Sequence, residues 1–111
     1  VQTFEQIFLE ATDSALTSLG ESARISIYYH LEKTFKLPKR DIPCHLQDFE
    51  DGLERIFGVG AKYIEILIMK QLFRKVGHNL ELSDNKELEF RNYVSAAEKT
   101  FRQKETKHRK I

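Results

Sequence analysis

Phe4, Ile7, Phe8, Ala11 and Ala15 recur every three or four residues and so draw one apolar stripe along a helix. Thr3 and Gln6 have the spacing of a capping box, in which each side chain satisfies a free amide of the first turn. Together they predict a helix that starts at Thr3 and ends between Leu16 and Gly20. Ser18 and Glu21 repeat the capping spacing, which predicts a second helix with Ala23, Ile27, Leu31 and Phe35 on one face. Proline keeps the residue before it out of helix, so Lys36-Leu37-Pro38 ends that element. The stretch from Pro38 to His45 holds both prolines with Lys39, Arg40 and Asp41, and reads as an ordered loop.

Leu46, Phe49, Leu53, Ile56 and Phe57 mark a third helix, closed by Gly58 as a glycine after the last turn commonly does. Gly52 inside it costs roughly 1 kcal/mol relative to alanine, an expense that a close approach by another helix would explain. From Ala61 to Val76 the apolar residues cover more than one face, the pattern of a helix with neighbours on several sides. Lys70, Arg74 and Lys75 near its end complement the exposed carbonyls, and Gly77 stops it. His78 to Asn85 reads as a short extended link. Phe90, Tyr93, Val94, Ala97 and Phe101 form the stripe of a last helix, after which the apolar period ceases. The expected fold is all-α, a compact single-domain bundle of about five helices over residues 1–101, with a basic, fraying tail over 102–111.

Composition agrees with one core. The chain has 111 residues, 41% apolar and 32% charged, enough to bury an interior and too short for two. The longest aliphatic run, Ile66 to Met69, is far below the roughly 18–20 residues a membrane crossing needs, so no membrane partner is expected. The first residues lack the basic start and apolar stretch of a secretory signal. Cys44 is a lone cysteine, which excludes an intrachain disulfide and points to a reducing cytoplasm. A formal charge of +1 gives no global attraction to nucleic acid, so any such binding needs a local patch.

Leu19-Gly20-Glu21-Ser22, Ile27-Tyr28-Tyr29-His30-Leu31-Glu32, Ile42-Pro43 and Phe57-Gly58-Val59-Gly60-Ala61-Lys62 with Ile64-Glu65 carry a family resemblance. Over roughly residues 4 to 100 the chain resembles the archaeal Nitrosopumilus output domain family. The resemblance implies a small helical module, found alone or joined to signalling domains in archaea, and carries over no catalytic residue. The basic end has no counterpart in it.

Three constellations stand out. The segment around Gly58-Val59-Gly60 and Lys62 is similar to a helix-hairpin-helix turn, whose bared amides can hold a DNA phosphate without reading sequence. Phe57 stands where such turns often carry proline, and Ile64 where they carry a small residue; the plainer account is that Gly58 caps one helix and Gly60 opens the next. Lys107, Arg109 and Lys110 in the basic end could add phosphate contacts, although a solvated terminus explains them as well. Tyr28 and Tyr29, adjacent on one helix, cannot both face a single core, so one belongs at a rim or an interface.

The remaining polar residues read as surface. Asp48, Glu50, Asp51 and Glu54 form an acidic face that is either solvated or a dock for a basic partner. Cys44 and the four histidines lack the paired spacing of a zinc site, and no catalytic, phosphate-loop or cofactor fingerprint is present. The expectation is therefore a non-enzymatic interaction module with no cofactor or metal. Its partner is an unidentified protein, with self-association possible and nucleic acid as the alternative.

Overall fold

Thr3 Oγ1 accepts from the Gln6 amide at 3.2 Å and Gln6 Oε1 accepts from the Thr3 amide at 2.8 Å, so the capping box is formed. It opens α1, Phe4–Thr17, in a computed structural model that describes residues 2–77 and 89–109 and, of residues 106–109, only the backbone. The chain then builds α2 (Glu21–Phe35), a 3-10 helix (Lys39–Cys44), α3 (Leu46–Phe57), one 3-10 turn (Gly58–Gly60), α4 (Ala61–Val76) and α5 (Phe90–Arg109). The fold is an all-α single-domain bundle; no strand occurs among the described residues.

The core is organised around α4, which buries Ala61, Ile64, Ile68, Met69, Leu72, Phe73 and Val76 against α1, α3 and α5. Phe8, Phe49 and Phe90 bring one ring each from α1, α3 and α5 into a mutual cluster, with centroids 6.2–6.4 Å apart. All three are essentially inaccessible to solvent, and each such side chain contributes about 1.5–3 kcal/mol by leaving water. Phe4 packs on Phe101 and Phe73 on Tyr93, which fasten α5 to α1 and α4. A β-carbon at Gly52 would come within 2.7 Å of Leu31 and 3.5 Å of Phe35, so the glycine lets α2 and α3 approach closely.

Four local details differ from the pattern read along the chain. Ser18 does not cap α2: its hydroxyl donates back to the Ala15 carbonyl at 2.6 Å, and Gly20 at φ 115° begins the helix without a side-chain cap. α2 does stop at Lys36-Leu37-Pro38 as expected, but by way of a left-handed residue, Lys36 at φ 57°, after which the Leu37 amide bonds back to the Leu31 carbonyl and its side chain turns into the core. The Pro38–His45 connection is largely helical, and its 3-10 helix drives Ile42 fully into the interior.

The fourth difference is at the end of the chain, where residues after Phe101 remain helical as far as Arg109. Arg102 pairs with Glu98 one turn back at 2.6 Å. Lys104 Nζ donates to the carbonyls of Val76 at 2.7 Å and Gly77 at 3.1 Å, closing the C-terminus of α4 with a cation. Hydrogen bonds and charge thus continue the helix where apolar periodicity stops. The extended link expected from His78 onward lies outside the described residues.

Candidate functional site

Gln47, Glu50, Asp51 and Glu54 recur at three- and four-residue steps on α3 and so share one face of it. That face does not look only outward. With Lys62 and Glu65 of α4, and Glu89, Arg91, Asn92 and Ser95 at the start of α5, it walls a cleft of about 460 Å³. Glu50 is largely buried and pairs with Arg91 at 3.1 Å, Gln47 donates to Asp51 at 3.0 Å, and Asn92 donates to Glu89. The expectation of a simple solvated face therefore holds for Asp48, Asp51 and Glu54, which are exposed, and fails for Glu50. Glu50 turns inward because α5 supplies a cation there.

Glu65 is the unusual member. It is 4% exposed and, among the described residues, makes no hydrogen bond and no ion pair. Burial, then the neighbouring Glu50, pushes its carboxyl up to about 7, with Lys62 pulling the other way and Glu54 adding to the rise. Glu50 is also raised by burial, an effect that Arg91 opposes and Asp51 and Glu54 reinforce. The cleft thus contains a carboxyl that changes charge near neutrality, where a small change in surroundings decides whether it holds a proton. Among the described residues no group of three or more His, Cys, Asp or Glu side chains is placed to hold a metal ion.

The glycine turn forms as one 3-10 turn, with Gly58 at φ 59° and Val59 fully exposed at its tip. Gly60 precedes α4 with no side-chain cap, and no acidic residue occupies the first turn of that helix. Gly58, Val59 and Lys62 share a shallow hollow, but Glu54 lines it too. Among the described residues the basic end is not brought to this turn. Lys104 lies over the C-terminus of α4, whereas Gly58 to Lys62 lie at its N-terminus, a helix length of roughly 24 Å away at 1.5 Å per residue. Lys107 and Arg109 follow Lys104 in the backbone of the last turns of α5, and Lys110 lies outside the described residues.

The two tyrosines separate as their adjacency requires. Tyr28 is half-buried, its hydroxyl donates to Asp13 Oδ1 at 3.1 Å, and the Lys39 ammonium stands 4.9 Å from its ring centre. The same oxygen takes Arg24 at 3.2 Å and Lys39 at 3.3 Å, so Asp13 ties α1, α2 and the 3-10 helix together. Burial alone raises the Asp13 carboxyl, but Lys39, Tyr28 and Arg24 outweigh it and hold the group below the usual aspartate range. Burial and the Asp13 charge push the Tyr28 hydroxyl well above the ordinary phenol. Tyr29 is instead 58% exposed, one turn from Ile25 at 57%, and neither belongs to the core.

Sequence reasoning missed Glu65 and the basic and acidic residues that α5 brings to it. One signal was present: Glu65 interrupts the stripe Ala61, Ile68, Leu72 and Val76 at helical spacing, so a carboxylate stands in the middle of a buried face. Arg91 and Glu89 carried no such mark, because their place opposite α3 is set by tertiary packing. Compared with known proteins, the chain matches no family model, no curated protein and no solved structure.

Proposed function

We propose that this chain is a non-enzymatic helical interaction module that acts by binding another protein, with the outer face of α2 as its contact surface. The observation that carries the reading is the pair Ile25 and Tyr29, more than half exposed and one helical turn apart. Single exposed apolar side chains are ordinary, whereas an aliphatic residue beside a tyrosine on one face is the kind of anchor that concentrates binding energy. Its sibling Tyr28 is committed to Asp13, so α2 is fixed from behind while Tyr29 stays available. The family resemblance adds archaeal signalling as the setting.

The test is a comparison of the wild-type chain with Ile25→Asp and Tyr29→Asp, which change surface positions and should leave the helical circular dichroism unaltered. Sedimentation at up to about 1 mM, where even millimolar self-affinity registers, would show an oligomer for wild type and monomers for both variants. For a different partner, pull-down should retain a protein that both variants lose. A wild type that stays monomeric and retains the same proteins as the variants defeats the reading.

The bare N-terminus of α4 beside Lys62 favours a second reading, contact with a nucleic-acid phosphate. Glu54 at the same hollow opposes it. Fluorescence anisotropy with a duplex decides between them: phosphate binding must weaken steeply with salt, and an unchanged signal at low salt ends that alternative.

A further inference from the structure

We propose that the cleft between α3, α4 and α5 is a binding site for an organic cation bearing ammonium or guanidinium groups, anchored on the carboxylate of Glu65. Independently of the α2 surface, three observations converge on it. First, Glu65 is 96% buried by its 4% exposure, yet accepts no hydrogen bond among the described residues. No fully enclosed side-chain oxygen or nitrogen among those residues lacks a partner, so the carboxyl of Glu65 must open onto the cleft. A carboxyl held by a mostly buried residue and reaching water only through the cleft is poorly solvated, and a donor arriving in the cleft would improve on that.

Second, the lining is unbalanced. Glu50, Asp51, Glu54, Glu65 and Glu89 face two cations, Lys62 and Arg91, and neither is free: Arg91 is engaged by Glu50, and Lys62 also has a partner. The remaining polar groups, Gln47, Asn92 and Ser95, can donate or accept; Gln47 and Asn92 already donate to Asp51 and Glu89, which leaves their amide oxygens as further acceptors beside the second oxygens of those carboxylates. Acceptors in excess of donors suit a ligand made of N–H groups. Third, the volume of about 460 Å³ lies within the roughly 300–1,000 Å³ range of small-ligand pockets. A bare metal ion fits less well, since no three ligating side chains converge among the described residues. An ammonium or guanidinium needs no coordination sphere, only several oxygens at hydrogen-bond distance.

Binding by this route is coupled to protons. The Glu65 carboxyl must be ionised to anchor a cation, and at neutral pH a good part of the population is protonated. The charged groups that share the cleft with it are Glu50, Asp51 and Glu54 of α3, Lys62 of its own helix, and Glu89 and Arg91 at the start of α5. An arriving positive charge lowers its pKa and expels the proton, so affinity must fall as pH drops from 8 to 6.

Isothermal titration calorimetry on the full chain tests this with two probes, spermidine as a free polycation and N-acetylarginine amide as a stand-in for a partner's side chain. The expected result is saturable binding of at least one probe, with heats that change with the ionisation enthalpy of the buffer because a proton is released. Tighter spermidine binding identifies a free small molecule as the ligand, and tighter arginine-amide binding identifies a protein side chain. Glu65→Gln should weaken binding at least about tenfold and abolish its pH dependence, and Glu54→Gln at the rim should weaken it less. Failure of both probes to bind at about 10 mM, well past ordinary millimolar affinity, overturns the proposal. So does an undiminished affinity in Glu65→Gln, or magnesium chloride competing as well as either probe.

Discussion

Asp13 and Glu65 are both carboxylates shielded by helices, and they have opposite fates. Asp13 gathers Tyr28, Arg24 and Lys39 on one oxygen, and its carboxyl is held below the usual aspartate range. Glu65 is more deeply buried, gathers no donor, and titrates at about 7. Burial raises both, so the difference lies in whether neighbouring elements deliver hydrogen-bond donors. A carboxylate supplied with donors is a strut. One denied them weakens the fold at neutral pH and is available to something else.

The largest expected effect comes from removing the Glu65 charge. Its folded pKa lies above the unfolded value of 4.5, so the native chain binds more protons than the unfolded one between about pH 4.5 and 7. Stability must therefore fall as pH rises through that window and level off above it. Glu65→Gln should stabilise the protein at pH 8 by up to about 3 kcal/mol and change little at pH 4, as read from urea denaturation midpoints. A destabilised Glu65→Gln at pH 8 would show that Glu65 is satisfied, and would erase the contrast.

Asp13 should respond in the opposite sense and more weakly, being partly exposed. Its folded pKa lies below the unfolded value of 3.8, so its contribution is present above that pH and lost as pH falls through the folded pKa. Asp13→Ala leaves the Tyr28 hydroxyl without its acceptor and should cost about 1–2 kcal/mol at pH 7, a loss that shrinks toward pH 3. The same urea titrations at both pH values measure it. The smallest effect belongs to Arg91→Ala, which should cost about 0.5 kcal/mol because this guanidinium is well exposed. Its sharper readout is the Glu50 carboxyl resonance by NMR, whose titration should move to higher pH once the opposing cation is gone.

The sequence made the helices readable because their signals are local. Thr3 and Gln6, Gly58 and Gly77 act through the backbone within one turn, and the structure uses them as their spacing implies. Gly52 could be recognised as a close approach, since a mid-helix glycine needs a reason, although Leu31 as the neighbour could not. The 3-10 helix at Lys39–Cys44 was hidden because its short i to i+3 bonds leave little sequence period and its Pro43 imitates a loop. The end of α5 was hidden because Lys104 is held by carbonyls 27 and 28 positions away. The cleft was legible only in its α3 wall. Neither the partners of Asp13 nor the isolation of Glu65 follows from spacing, since both depend on which helix ends meet.

Gly52 gives the recognition face a dependence on atoms that no ligand would touch. It stands on the same 12-residue helix as Glu50, Asp51 and Glu54, and is pressed against α2 by a neighbour, Leu31, that is fully enclosed. A methyl group inserted there would meet the terminal methyl of that enclosed leucine, and unless the leucine changes rotamer α3 is pushed away from α2. Its row of acids would then move relative to Glu65 while every charge in the molecule stayed the same. The gauge of the cleft is set on the far side of the helix, by a hydrogen atom.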